Sequence, residues 1–291
     1  MPITAIQRER RKAHLGSSDM AAVLGLSPFT SAYDVWLEKT GKLVDREATG
    51  NAAGANPTAA GNYLEDGVLV FAEKTWGKIT RNQFRSIKSS GIPLAASVDG
   101  ILVESGIPVE AKTAGVIGPT RGTWGDEDTD QVPDHVLIQT HVHMLCTEQQ
   151  ICYVPTLVGG RGFLRFVVHK NEEVADLIAN AAFNFWKNHV LADVPPMNST
   201  PHIEVVKRMR REPQKTVELE SGVVEKWWAA KEALSAAERS KKEAEAILLA
   251  ALGDAEGGIS TLGTITYLSQ KRSAYTVPEG EYRVLRIKKE K

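Results

Sequence analysis

The chain has 291 residues, 42% of them hydrophobic and 24% charged, with two cysteines. This is ordinary globular composition, long enough to bury a core without staples. It excludes a disulfide framework and an all-cysteine zinc or iron–sulfur site, and no apolar run approaches the roughly 20 residues needed to span a bilayer. Thirty-five Lys and Arg against 36 Asp and Glu leave a net charge of -1, so bulk charge does not announce a nucleic-acid binder. The sum hides an asymmetry: residues 201–291 carry 17 basic and 14 acidic side chains, residues 1–200 carry 18 and 22. The N-terminus lacks an apolar signal-peptide core, which predicts a cytoplasmic protein.

Residues 17–41 read as two short helices, the first capped by Ser18 or Asp19 and ending at Gly25, the second with an apolar face of Tyr33, Trp36 and Leu37. Residues 44–62, rich in Ala, Gly, Asn and Thr, read as a loop. The spacing of Leu64, Val68, Phe71 and Ala72 predicts a helix from Tyr63 to Lys74, ended by Gly77, with Glu65 in its first turn. Two short apolar runs, 93–104 and 107–114, flank Glu104-Ser105-Gly106 and predict a β-hairpin. A polar loop to residue 133 follows, longer than the about 12–15 residues usual for a structureless connection. Residues 134–147 read as a helix, 150–158 and 163–170 as strands around a Gly-Gly-Arg-Gly turn, and Asn171 as the cap of a helix reaching about Val190.

Pro195-Pro196 marks the expected end of a first domain, residues 1–200. The extension, residues 201–291, is expected to hold a long helix from Glu218 to Leu252, ended by Gly257-Gly258, then a strand at 261–270 and a basic tail, Arg283–Lys291. The Trp227-Trp228 helix is read as a subunit interface, a partner site or a cover on the first domain, and the tail as a backbone-tracking or a solvated segment.

The chemistry concentrates in the hairpin. Asp99 lies in its first strand and Glu110 in its second, where pairing brings them near each other, and Lys112, two residues on from Glu110, points to the same face. Both strands are otherwise apolar, and charges set in core-like strands are costly without a purpose. Clustered carboxylates with one cation favour a divalent ion between them. Oxygen-only ligation suits Mg²⁺, with Mn²⁺ as a substitute, and Lys112 is placed to orient or deprotonate a water. The alternative is a surface ribbon whose Asp, Glu and Lys are solvated.

Five stretches in order resemble the YqaJ-like viral recombinase family, phage λ-type exonucleases of the PD-(D/E)XK superfamily: RKAHLGSSDMAAVLGLSPF from Arg11, LEDG at 64–67, SVDG at 97–100, VEAKT at 109–113 and QTHVHM at 139–144. The resemblance covers roughly residues 8–190. It implies an α+β fold with a central mixed sheet flanked by helices, a restriction-endonuclease-like core with a helical C-terminal extension. It further implies that Asp99, Glu110 and the carbonyl of Ala111 ligate a first Mg²⁺, that Glu65 helps hold a second, and that Lys112 activates the hydrolytic water. Gln139 helps orient the catalytic groups, and Arg11, Ser18 and Ser97 bind the phosphate at a 5′ end. The activity implied is 5′→3′ digestion of one strand of linear double-stranded DNA, leaving 3′ overhangs for recombination. The implied setting is a homotrimer working with a single-strand annealing protein in a bacterial cell, of phage or prophage origin. An endonuclease of the same fold and a non-catalytic DNA-binding or assembly module are the rival readings.

Val98 stands where the family name has Pro, and His143 where related nucleases carry Tyr. His141 and His143 are read as satisfied structural groups with a DNA contact as the alternative for His143, Ser18 equally as a helix cap, and Cys146 and Cys152 as buried packing residues.

Overall fold

The computed structural model describes residues 9–10, 12–44, 57–87, 91–115, 123–210 and 212–271. Arg11 and the tail Arg283–Lys291 lie outside the described residues. The chain divides into two compact units, Met1–Arg211 and Glu212–Lys291.

The first unit begins with α1 (Ser17–Val23) and α2 (Ala32–Lys39). Neither Ser18 nor Asp19 is the N-cap of α1: that place belongs to Gly16, whose N–H donates to the Asp19 carboxylate at 2.7 Å. Ser31 caps α2 by accepting from Asp34 N. The next helix, α3, runs Pro57–Trp76, longer than expected. Proline is suited to a first helical turn, and Thr58-Ala59-Ala60 then continues the helix through what composition alone reads as loop. Glu65 therefore sits in the third turn and not the first.

The sheet contains a strand the sequence reading misses. β1 (Ile79–Ser86) pairs antiparallel with β2 (Ala95–Leu102); its polar text, ITRNQFRS, hides it, because only one strand neighbour covers it. β2 turns through Ser105-Gly106, where Gly106 takes φ +74°, into β3 (Pro108–Val109). β3 and β4 (Lys112–Ala114) both run parallel to β5 (Ile151–Val158) in one register, Val109 beside Tyr153 and Lys112 beside Thr156, so they are two pieces of one strand interrupted at Glu110-Ala111. β6 (Gly162–His169) closes the other side of β5 antiparallel. The result is a mixed sheet, β1-β2-(β3/β4)-β5-β6.

The helix α4 occupies Asp134–Thr147 and α5 Glu172–Phe185, continued by a π-helical turn, Trp186–Leu191. Asn171 caps α5 through its side-chain oxygen and Val174 N. Along β5, Cys152 and Val154 pack with Val136 and Met144 of α4, while Tyr153 joins the cluster of Leu69 and Ala72 from α3 and stacks on Trp76 at 4.4 Å. Alternate residues of a strand face opposite sides, so α3 and α4 cover opposite faces. Leu15, Met20, Leu37, Val98, Val142 and Ile178 form the largest core, tying α1, α2 and α5 to α4 and β2. Cys146 and Cys152 are free and buried, and burial pushes the Cys146 thiol up to about 12. The described part of the long loop, 123–133, is strapped to β6: Asp128 N donates to Arg165 O, Val167 N to Thr129 O, and the Arg165 guanidinium holds Glu127 and Asp128.

Residues 201–210 stay with the first unit. Asp34, buried on α2, accepts from the backbone N–H of His202 at 3.1 Å and pairs with its ring Nδ1. Met209 forms a bridge with Leu43, just beyond α6 (Ile203–Val206).

The second unit consists of α7 (Ser221–Leu252) and a hairpin of β7 (Gly257–Ser260) and β8 (Gly263–Thr266). The helix ends at Gly253, whose φ is +60°, and Gly257-Gly258 belong to β7. The expected single strand is this hairpin. Among the described residues of α7 none is buried, and no described helix is long and apolar enough to cross a membrane.

Candidate active site

The ladder between β2 and β3 ends at Gly100 opposite Val109. The next residues outward are Asp99 and Glu110, so the register itself sets the two carboxylates side by side where the strands part. Two irregularities isolate Asp99. Across β1, Arg81 pairs with Gly100 and Gln83 with Val98, while the residue between, Asn82, is left-handed at φ +54°. On the other side Ala111 N donates to Asp99 Oδ2 at 2.9 Å. That bond diverts the backbone at the break between β3 and β4, while Glu110 N is held by Tyr153 O. Gly100 follows Asp99 because nothing larger fits: a Cβ there would meet Ile79 Cγ2 at 2.4 Å.

Glu110 is 6% exposed. Lys112 returns over the break to place Nζ 2.5 Å from Glu110 Oε1, which the shared face of residues two apart in a strand predicts. Burial alone would raise Glu110, but Lys112, then His143, hold it below its ordinary value. Asp99 goes the other way: burial first, then repulsion from Glu110, push it well above the ordinary carboxylate range. One buried carboxylate of a like-charged pair keeps its charge at the expense of the other. Against the burial that would lower it, Lys112 is raised by Glu110 and Asp99. It is a cation here, suited to positioning a water or steadying negative charge. Glu65, half-buried on α3, is raised by burial and by Glu110, among other charges, so the four ionisable groups sense one another.

Among the described residues no group of three or more His, Cys, Asp or Glu side chains is gathered tightly enough to hold an ion by itself. The donors that meet at the break are the two carboxylates, with the Ala111 carbonyl as the third that the resemblance implies. This oxygen-only set fits Mg²⁺, which keeps several waters and uses one or two carboxylates together with substrate phosphate.

Gln139 and His143 lie one turn apart on α4, hence on one face. Gln139 Oε1 and both ring nitrogens of His143 are buried without a hydrogen-bond partner among the described residues. His143 is fully buried with Nδ1 3.4 Å from Glu110 Oε2, and burial holds its pKa down. The structural reading fits His141, whose Nδ1 faces Leu137 O at 2.8 Å and whose Nε2 accepts from Asn171 N at 3.1 Å; it fails for His143, which is not satisfied. The four-residue step from Gln139 is the signal that would have found it.

A cleft of about 310 Å³ opens beside these groups, its lining including Ser18, Ser97, Glu110 and Gln139 with the cations Arg10 and Lys39. The Lys39 ammonium is buried and 2.6 Å from Asp19. Ser18, freed from capping, and Ser97 thus share one cavity with Glu110 and Gln139, while Asp99, Lys112 and Glu65 do not line it.

A mixed sheet split at a half-buried Asp99 and a buried Glu110, with lysine two residues further on and helices on both faces, is the arrangement that the PD-(D/E)XK resemblance of the sequence leads one to expect. Residues 8–150 match the model of the YqaJ-like viral recombinase domain. The uncharacterized protein YqaJ of Bacillus subtilis (strain 168) is 27% identical over 260 residues, 86% of this chain and 78% of that protein. Among solved structures, an alkaline exonuclease from Laribacter hongkongensis overlays with a TM-score of 0.49 at 16% identity, covering 66% of this chain and 94% of that one. A phage-related exonuclease from Haemophilus somnus 129PT gives 0.38 at 14%, covering 64% and 99%.

Proposed function

We propose that the protein is a Mg²⁺-dependent deoxyribonuclease that digests linear duplex DNA from its 5′ ends and leaves 3′ overhangs for recombination by strand annealing. The observation that carries the reading is the Asp99–Glu110–Lys112 cluster, whose buried Glu110 lines a cleft together with Ser18, Ser97, Arg10 and Lys39. A bound Mg²⁺ supplies Lewis-acid activation of the scissile phosphate and of the attacking water. Asp99, Glu110 and the Ala111 carbonyl hold the first ion and Glu65 helps hold a second; Mn²⁺ has the same preference for oxygen donors.

Lys112, kept charged by Glu110, positions the water and stabilises charge developing on the phosphate. Gln139, whose oxygen has no partner among the described residues, orients the water or the ligating carboxylates. Ser18 and Ser97 donate to the terminal 5′ phosphate with Arg11 as its cationic partner. By the same family reading the enzyme works as a homotrimer with a single-strand annealing protein, in the cytoplasm of a bacterium carrying phage genes.

The test is purified protein with Mg²⁺ on linear 5′-phosphorylated duplex, linear 5′-hydroxyl duplex and covalently closed circles. Mononucleotide release from phosphorylated linear DNA, slower release from the 5′-hydroxyl form and intact circles are expected. Cut circles would make it an endonuclease. No Mg²⁺-dependent cleavage of any substrate would make it a non-catalytic module.

A further inference from the structure

The longest element of the chain is used by nothing described so far. α7 is an exposed 32-residue helix, and one of its stripes has a strict repeat: Val223, Trp227, Ala230, Leu234, Ala237, Lys241, Ala244, Leu248, Ala251, alternating steps of four and three. Leu234 is 59% and Leu248 42% exposed. Sustained over four heptads, such spacing is a coiled-coil seam. Large residues (Trp227, Leu234, Lys241, Leu248) fill one seam position and small ones (Val223, then four alanines) the other.

We propose that this stripe pairs with the same stripe of a second copy of the chain, antiparallel. Antiparallel packing sets the large position of one helix against the small position of the other in every layer. Aligning Trp227 with the partner's Ala251 also aligns Ala230 with the partner's Leu248, Leu234 with the partner's Ala244, and Ala237 with the partner's Lys241. The flanks agree in the same register. Val224 lies opposite the partner's Leu252, Lys231 opposite the partner's Glu245, and Ala233 opposite the partner's Ile247. Glu238 meets the partner's Glu238 at the two-fold axis, with the two Lys241 ammoniums adjacent. Lys231 already lies over the Trp227 ring at 5.1 Å, at the edge of the seam. The parallel arrangement stacks large on large and alanine on alanine, sets Lys241 against Lys241, and faces Lys226 with the partner's Lys231; like charges so placed are destabilising. Two-fold pairing is self-complementary and closed: it gives a dimer of the chain, or a hexamer if the nuclease unit forms three-fold rings.

The experiment uses the full chain. In the Ala230→Cys/Leu248→Cys variant a short bismaleimide is expected to give a covalent dimer, and peptide mapping to join 230 of one copy to 248 of the other. Ala230→Cys alone is expected not to crosslink, because in this register the two copies of residue 230 lie 18 positions apart along the axis, about 27 Å. The native thiols are buried. Sedimentation then tests the charges: Lys231→Glu or Glu245→Lys should each weaken association about tenfold, and the two together should restore it. Leu234→Asp should abolish it. Crosslinking by Ala230→Cys alone, single charge reversals without effect, or a double reversal that does not recover would each overturn the proposal.

Discussion

Replacing Lys112 by Met removes the ammonium while keeping much of the stem that crosses the strand break. It leaves Glu110, whose side chain is 7% exposed, facing Asp99 without the cation now 2.5 Å away. Breaking a buried pair by removing one partner costs about 3–5 kcal/mol. The 23% exposure of the Lys112 side chain and the readiness of Asp99 to take a proton put the expected loss at the low end, about 3 kcal/mol. For a unit of this size that is a fall in Tm of roughly 6–12 °C, measured by thermal unfolding in EDTA. Glu110 in the variant has a folded pKa above its unfolded one, so its penalty is present at neutral pH and fades as pH falls; the gap to the parent should narrow in acid. Removing both partners, Glu110→Gln with Lys112→Met, should cost less than the two single losses added. A Tm within about 2 °C of the parent, or a gap that does not change with pH, would refute the view that Lys112 compensates this buried carboxylate.

Three further outcomes are expected. Gly100→Ala drives a Cβ to 2.4 Å from Ile79 Cγ2 and should lower stability by about 1–3 kcal/mol in a denaturant titration; Ile79→Ala should relieve part of it. Asp34, despite a burial that would raise it, is held below the ordinary carboxylate range by Ser31 and His202. Its contribution is therefore complete above its unfolded pKa, about 3.9, and is lost as pH falls through the lower folded value; Asp34→Asn should flatten that acid limb and speed proteolysis around residues 201–210. His143→Leu should fold normally yet lower turnover by about tenfold if the imidazole holds Glu110 and Glu110 is the ligand proposed above, since groups behind metal ligands matter to that degree; unchanged kcat would reduce His143 to packing.

The parts of the fold written as strong periodicities were legible. Helix 134–147, the Asn171 cap, strands β5 and β6 and the carboxylate hairpin all follow from local text. What was illegible depended on neighbours. β1 is polar because it needs only one paired edge, and the start of α3 resembles a loop because Thr58-Ala59-Ala60 carry no apolar stripe. Of the site, Asp99, Glu110 and Lys112 meet as the register demands. The contact of His143 with Glu110 was missed because a histidine on an apolar helix face is more often satisfied than not. The role of Asp99 as a backbone tether was invisible, since nothing in the sequence shows that Ala111 N–H turns to a side chain and not to a strand.

The sheet has a consequence for anyone who would trim the chain. The domain match ends at residue 150, one residue short of β5, the strand on which β3, β4 and β6 all pair. A fragment cut there would keep every proposed ligand and lose the partner strand that holds the β3–β4 break in place. Ending at residue 200 would restore that strand but sever the Asp34–His202 latch and the Leu43–Met209 bridge. A piece ending at residue 211, the boundary of the first compact unit, retains both.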